Sequence, residues 1–191
     1  NKIKIMDKDY HNIPILLLIY NRDLYLVNLI KILNKIKPQR IYIAADGPHS
    51  AENSEKCEIT RKKIEELITW ECTIEKKYRS ENVGCKTNIN EGLDWFFYHE
   101  KMGIILEDDC DPSESFFHYC GELLIKYENV ENIKMISGNF YYENEILNKQ
   151  NTNSYFFSKR PGTHGWATWR RAWNQNNQKM LGWNKFIDFL W

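Results

Sequence analysis

The chain has 191 residues, enough for one domain with a sizeable core or one domain plus a small appendage. Lys plus Arg number 26 and Asp plus Glu number 26, a formal net charge of zero that argues against a general nucleic-acid binder, which would carry a basic surplus. The longest apolar run, Ile13 to Tyr20, is broken by Pro14 and falls far short of the roughly 20 residues that span a bilayer, so no transmembrane segment is expected. Residues 1–10 are charged and no small-residue cleavage site follows, so no signal peptide is read. The chain starts without Met, and a natural N-terminus upstream is expected. Five cysteines (Cys57, Cys72, Cys85, Cys110, Cys120) are spread out with no C-x-x-C pair, which fits reduced core thiols in the cytoplasm better than a disulfide framework or a zinc knuckle. The heavy use of Asn, Lys and Ile suggests an AT-rich bacterial genome.

In chain order, "IPILLLIYNR" (Ile13–Arg22) is a continuous apolar run, the pattern of a strand covered on both faces. Tyr25, Leu26, Leu29, Ile30, Leu33 and Ile36 then recur at helical spacing until Pro38 stops the helix. "RIYIAADG" (Arg40–Gly47) is a second buried strand ending in an Asp-Gly turn. Ser54 is placed to cap a helix carrying Ile64, Leu67 and Ile68, and "CTIEKKY" (Cys72–Tyr78) alternates like a strand near an edge. A turn at Gly84 leads to a helix bearing Ile89, Leu93, Phe96 and Phe97. Gly103–Leu106 is the next buried strand, Phe116–Tyr127 the next helix and "IKMISG" (Ile133–Gly138) a further strand. This alternation predicts an α/β fold, a mainly parallel sheet with helices on both faces. Ligands of such sheets bind beyond the carboxyl ends of the strands, where Tyr20–Arg22, Asp46–Gly47 and Glu107–Asp109 all fall.

The composition shifts after about Tyr142. Asn becomes dense, and five of the seven Trp (Trp166, Trp169, Trp173, Trp183, Trp191) crowd the last 26 residues. The chain is therefore read as an α/β domain over residues 1–142 and the start of a further segment over 143–191, within a single globular unit. Trp166, Trp169 and Trp173 share one side of a helix if that segment is helical, and core packing is the reading favoured for Trp169 and Trp173.

In "GIILEDDCDPSESFF" (Gly103–Phe117) an apolar run drives straight into Glu107, Asp108 and Asp109. Carboxylates that close repel one another, and one stays protonated unless a cation sits between them. A solvated strand end followed by a helix N-cap accounts for Asp111, with Pro112 in the first helical turn and Glu114 favoured by the helix dipole. It leaves Glu107 and Asp108 unexplained. An EF-hand fails, since counting from Asp109 its sixth position is Glu114 rather than Gly and its twelfth Cys120 rather than Glu. A hard divalent cation held by one or two carboxylates, with water and phosphate oxygens completing the shell, fits better.

Strand-E-D-D-x-x-P at the end of a fourth strand resembles the metal motif of GT-A glycosyltransferases. Further segments match in that family's order: "LIYNRDLYLVNLIKIL", "IAADG", "SENVGCKTNINEGLDWFF", "MISGNF" and "YFFSKRPGTHGWATWRRAW". The set is similar to N-acetylglucosaminyltransferase I-like enzymes. It is also similar to bacterial polysaccharide and lipooligosaccharide transferases that carry a G-W-A-T-W-[KR]-R-A-W segment. The resemblance covers roughly residues 13–175.

The resemblance implies an inverting transfer of a sugar from a nucleoside diphosphate, expected to be UDP, to a glycan or glycolipid acceptor. Asp109 would ligate Mn²⁺ or Mg²⁺, which neutralises the leaving diphosphate as a Lewis acid. Glu107 and Asp108 would accept hydrogen bonds from sugar and ribose hydroxyls. Asn21 and Arg22 would sit at the donor rim, with Arg22 on a phosphate or the base. Asp46 would accept the uracil N–H, or serve as a turn residue. Lys86 would contact the diphosphate or stay solvated, and Asn90 is undecided between a cap and solvent. His164, Gly165 and Trp166 would meet acceptor or sugar, Trp166 by stacking. The weak candidates for general base are His164 and Asp188. The family's base lies on a later Trp-Asp segment, which here would fall beyond residue 191. The resemblance also implies a cytoplasmic place, at the inner face of the membrane if the association is peripheral, and no nucleic-acid partner.

Two other functions compete. A sugar nucleotidyltransferase also sets acids near a diphosphate, but it normally opens with a Gly-rich first turn and "IYNRDLYL" has no glycine. A non-enzymatic carbohydrate-binding module is suggested by the Trp-rich end.

Overall fold

The computed structural model describes residues 12–139, 154–159 and 162–175. The elements are β1 (Ile15–Ile19), α1 (Asp23–Ile36), β2 (Arg40–Ala45), α2 (Ala51–Leu67), β3 (Thr73–Tyr78), α3 (Cys85–His99), β4 (Met102–Glu107), α4 (Glu114–Lys126), β5 (Met135–Ser137), β6 (Trp166–Trp169) and a short α5 (Arg170–Trp173). They build one mixed six-stranded sheet in the order β3-β2-β1-β4-β6-β5. The first four strands run parallel, while β6 is antiparallel to both β4 and β5. The fold is α/β, with helices on both faces of a mostly parallel, Rossmann-like sheet.

The central strands carry no polar alternation because neither face meets water. On β1, Ile15, Leu17 and Ile19 enter a core shared with α1, Ile64 of α2 and α4, whereas Leu16 and Leu18 enter a second core against Leu93, Phe96 and Phe97 of α3. α1 buries Leu26, Leu29, Ile30, Leu33 and Ile36, the stripe expected from a period of 3.6. It ends at Lys37, which takes a left-handed φ of 50° and donates its N–H to Leu33, and Pro38 then forbids a further turn. Cutting a buried leucine such as Leu29 back to alanine should cost about 2–5 kcal/mol.

Two helix starts differ from expectation. α2 is capped by Ser50, whose hydroxyl accepts the Asn53 N–H, and Ser54 lies inside the helix. α4 starts at Glu114 with Ser113 in the N-cap position, so Asp111 is not its cap and Pro112 precedes the first turn. The Ser113 hydroxyl pairs with that of Ser115 instead.

The tryptophan-rich segment is also corrected. Trp166–Trp169 is a strand, not a helix, because the open edge of β4 takes a partner there: Ile105 pairs with Trp166 and Met102 with Trp169. Strand alternation sends Trp166 to the α3 side and Ala167 and Trp169 to the other. The two arginines that follow anchor this strand. Arg170 donates to the carbonyls of Tyr98 and Glu100 at the end of α3, and Arg171 to those of Tyr127, Glu128 and Ile133 between α4 and β5. β6, from the segment after residue 142, lies between β4 and β5 of the same sheet. None of the five cysteines is paired. Among the described residues no helix is long and apolar enough to cross a membrane.

Candidate functional site

The carboxyl ends of β1, β2 and β4 and the amino end of the antiparallel β6 share one rim of the sheet. β4 runs to Glu107, and a tight turn follows in which Cys110 donates its N–H to the Glu107 carbonyl at 3.1 Å. The Cys110 thiol folds back beneath that turn and accepts the Glu107 N–H at 3.4 Å. The apolar run thus ends with Cys110 buried in the core and Asp108 and Asp109 raised at the corner of the turn.

Asp108 is buried, and it joins two strand ends. Its N–H donates to Leu18 at 3.1 Å, and its Oδ2 accepts the Tyr20 N–H at 3.0 Å, which β1 leaves unpaired beyond its last ladder bond. Its Oδ1 lies 3.4 Å from Arg22 Nη1. The same guanidinium nitrogen also pairs with Asp109 Oδ2. The other oxygen of Asp109, Oδ1, is buried and has no hydrogen-bond partner. Glu107 is half-buried, and among the described residues none hydrogen-bonds to its carboxylate.

The electrostatics follow. Burial first, then repulsion from Asp109 and Asp108, pushes the Glu107 carboxyl above the ordinary range. Burial also raises Asp108, against the opposing pull of the Tyr20 N–H and Arg22. Asp108 in turn, helped by Asp109 and Glu107, holds the proton on Arg22 more tightly. The cation between these carboxylates is therefore Arg22, which meets part of the need for positive charge and leaves Glu107 and Asp109 Oδ1 without it.

His164 reaches this cluster through the strand that sequence periodicity misread. With Trp166 opposite Ile105, the residues just before β6 lie beside the end of β4. Gly165 has a φ of +74°, a conformation that favours glycine, and its carbonyl accepts the Gly138 N–H. The His164 carbonyl accepts from Asn139 Nδ2 at 2.6 Å. The backbone is held while the imidazole is exposed. One ligating atom each from Asp109, Cys110 and His164 lie within 4.8 Å of one another.

Asp46, expected either to accept a uracil N–H or to serve as a turn residue, lies at the Asp-Gly turn after β2. Its carboxylate is buried and accepts four bonds: Gly47 N–H at 2.9 Å, Val83 N–H at 3.0 Å, Gly84 N–H at 3.1 Å and the Asn82 side-chain amide at 3.1 Å. A uracil N–H would have to displace one of these. The aspartate fastens the loop before α3 to the end of β2. Gly47 permits this closure, since a Cβ there would lie 2.3 Å from the Glu81 carbonyl carbon. Arg61 reinforces it by donating to the carbonyls of Asp46 and Arg79.

The remaining positions fall as follows. Asn21 is half-buried between Tyr20 and Arg22, Lys86 is exposed in the first turn of α3, and Asn90 is half-buried on α3. Trp166 is 8% exposed and packed against the α3-side core, so it offers no ring face for a sugar to stack on. Trp169 is fully buried, and the Trp173 indole donates to Asp94 at 2.7 Å. The Trp-rich end thus builds core rather than a stacking platform among the described residues. Asp188, Trp183 and Trp191 lie outside those residues. Tyr20 lies at the rim as expected and its hydroxyl meets His49 Nδ1 at 2.7 Å, while Asn82 was given no individual role by the sequence. Cys110, read as one of the reduced core thiols, is buried and unpaired.

No protein-family model matches the chain, and no curated protein matches it.

Proposed function

We propose that the chain is a metal-dependent glycosyltransferase of the GT-A type, moving a sugar from a nucleoside-diphosphate sugar to a saccharide or glycolipid acceptor. One observation carries the reading: at the rim where such sheets bind ligands, three successive acids stand against one arginine, and a buried oxygen of Asp109 is left without a partner. An orphaned buried carboxylate oxygen costs free energy unless a cation or donor meets it, so these residues fit a divalent ion, Mn²⁺ or Mg²⁺.

In this reading Asp109 holds the metal, which when bound neutralises charge growing on the departing diphosphate. Arg22, already charged and half-exposed, takes a phosphate oxygen. The raised proton affinity of Glu107 marks it as a strong acceptor facing sugar hydroxyls. Asp108 holds the ends of β1 and β4 together beneath them, and Asp46 shapes the loop that leads into α3 rather than reading the base. Lys86 and the N-terminal turn of α3 stand ready for the diphosphate. His164 lies on the side where an acceptor would approach, and Gly165 sets its position. A cytoplasmic place at the inner face of a membrane suits a glycolipid acceptor.

The test is a thermal-shift panel of nucleoside-diphosphate sugars with and without Mn²⁺. A ligand at 100 times its Kd stabilises by about 2.7 kcal/mol. For a chain of this size that is a rise of roughly 5–10 °C in Tm. The expected shift needs both nucleotide sugar and metal. A panel that gives no shift, or the same shift in EDTA, contradicts the reading.

A further inference from the structure

We propose that Asp109, Cys110 and His164 form a mixed oxygen–sulfur–nitrogen centre that binds a borderline or thiophilic divalent cation, zinc or cobalt, in preference to magnesium. The proposal shares Asp109 with the metal reading above and rests on it, but it does not depend on the sugar-transfer reaction.

Two separate pieces of backbone deliver the three donors. The turn after β4 supplies Asp109 and Cys110 on adjacent residues, and the residue before Gly165 supplies the imidazole. The ligating atoms already lie within 4.8 Å of one another. A tetrahedral zinc with bonds of about 2.0–2.3 Å sets its donors roughly 3.3–3.7 Å apart, so closure needs movements on the order of 1 Å. The exposed His164 ring can make that movement by rotation, since its backbone is pinned by Asn139 and by the Gly138–Gly165 bond.

Asp109 brings the second observation: its Oδ1 is buried and unpartnered while Oδ2 is taken by Arg22. A cation on Oδ1 leaves that ion pair in place. The backbone N–H groups of Glu107, at 3.4 Å, and of Gly165 are directed at the Cys110 sulfur. A metal-bound thiol is deprotonated outright, and the adjacent N–H donors then serve the sulfur as outer partners. Three protein donors leave one position open, as in sites that act on a bound ligand.

The donor set decides the metal. Thiolate and imidazole suit zinc and cobalt, whereas magnesium needs an octahedral oxygen shell and sheds water reluctantly. A centre made of carboxylates alone would show no such preference.

Cobalt tests this because a thiolate ligand adds a near-ultraviolet charge-transfer band that carboxylate and imidazole do not. The protein, carrying Cys85→Ser to remove the exposed thiol, is titrated with Co²⁺ alone, without nucleotide. The expected result is a saturable band that persists in excess Mg²⁺, disappears in Cys110→Ser, and shifts to roughly tenfold or higher Co²⁺ concentration in His164→Ala. His164 is exposed, so its variant keeps the test valid even if Cys110→Ser unfolds. Co²⁺ bound with no thiolate band overturns the mixed centre and leaves the Asp109 metal reading standing. No Co²⁺ bound overturns the mixed centre as well, and Mn²⁺ binding with UDP then judges the earlier reading separately. A band unchanged in both variants, or one abolished by Mg²⁺, also overturns it.

Discussion

Asp46 and Asp108 occupy equivalent places, each the first residue after a buried parallel strand, and each is about 5% exposed or less. Asp46 is enclosed by four neutral N–H donors from its own turn and from the loop 82–84. Asp108 takes one backbone N–H and shares a half-exposed guanidinium with its neighbour. The next residue differs just as sharply. After Asp46 comes a glycine pressed against the Glu81 backbone, with no space for a ligand. After Asp108 comes a second aspartate with an unpartnered buried oxygen. A carboxylate whose acceptor capacity is filled by the fold is a structural node. One that leaves capacity over, among like charges, is available for a cation or a substrate.

The sharpest way to break this contrast is Asp46→Ala. It leaves three backbone N–H groups and the Asn82 amide without their acceptor, which should cost about 3 kcal/mol or more. The expected reading is a fall in Tm of roughly 6–12 °C, seen with or without nucleotide. A protein of unchanged Tm that has lost UDP binding would return Asp46 to the base-reading role.

Arg22→Ala should have a smaller effect that depends on metal. The guanidinium is half-exposed and solvent screens its pairs with buried Asp108 and partly exposed Asp109, so stability should fall by about 1 kcal/mol in EDTA. Mn²⁺ should recover more of the loss in the variant than it adds to the wild type, because the cation replaces the missing guanidinium. Equal gains from Mn²⁺ in both would show that arginine and metal do not serve the same charges.

Glu107 sharpens the comparison through pH. Its folded pKa is raised, so between its ordinary value and that raised value the native state holds more proton than the unfolded chain. The stability it contributes is present below the ordinary value and is lost as pH rises through the folded one. Glu107→Gln should therefore flatten the decline of Tm with rising pH across the acid range, measured against wild type in EDTA. At neutral pH the variant should match or exceed wild type by roughly 0.5 kcal/mol while binding nucleotide sugar less well. A steeper decline in the variant would reverse the sign assigned to burial.

The smallest effect is expected at Asp111. With Ser113 at the N-cap position, Asp111→Ala should change stability by less than about 0.5 kcal/mol, against the roughly 1 kcal/mol of a lost cap. Unfolding in urea resolves the two.

The same contrast explains what could be read from the sequence. β1, β2 and β4 are mostly apolar runs and α1 a clean stripe ending at Pro38, so the centre of the sheet is legible as local pattern. The acids after Leu106 stood out because they break such a run. β6 did not, since Trp166, Trp169 and Trp173 fall at helical spacing and four residues are too few for a strand's alternation to outweigh it. What decides their form is the open edge of β4, a tertiary fact. Three of the four partners of Asp46 lie 36 to 38 residues further along the chain, and His164 comes near the acids through β6, so neither relation is visible in a local window. Ser50 and Ser54 are the same residue type four positions apart, and the helix starts at the earlier one, where the Ser50 hydroxyl accepts the Asn53 N–H.

Calorimetric titration of UDP in the presence of Mn²⁺, on wild type and on Asp109→Ala, tests the central claim most directly. The account predicts binding that vanishes in EDTA and in the variant, while the Tm of the unliganded variant stays within roughly 2 °C of wild type. Equal UDP affinity in the two proteins, with and without EDTA, would contradict it.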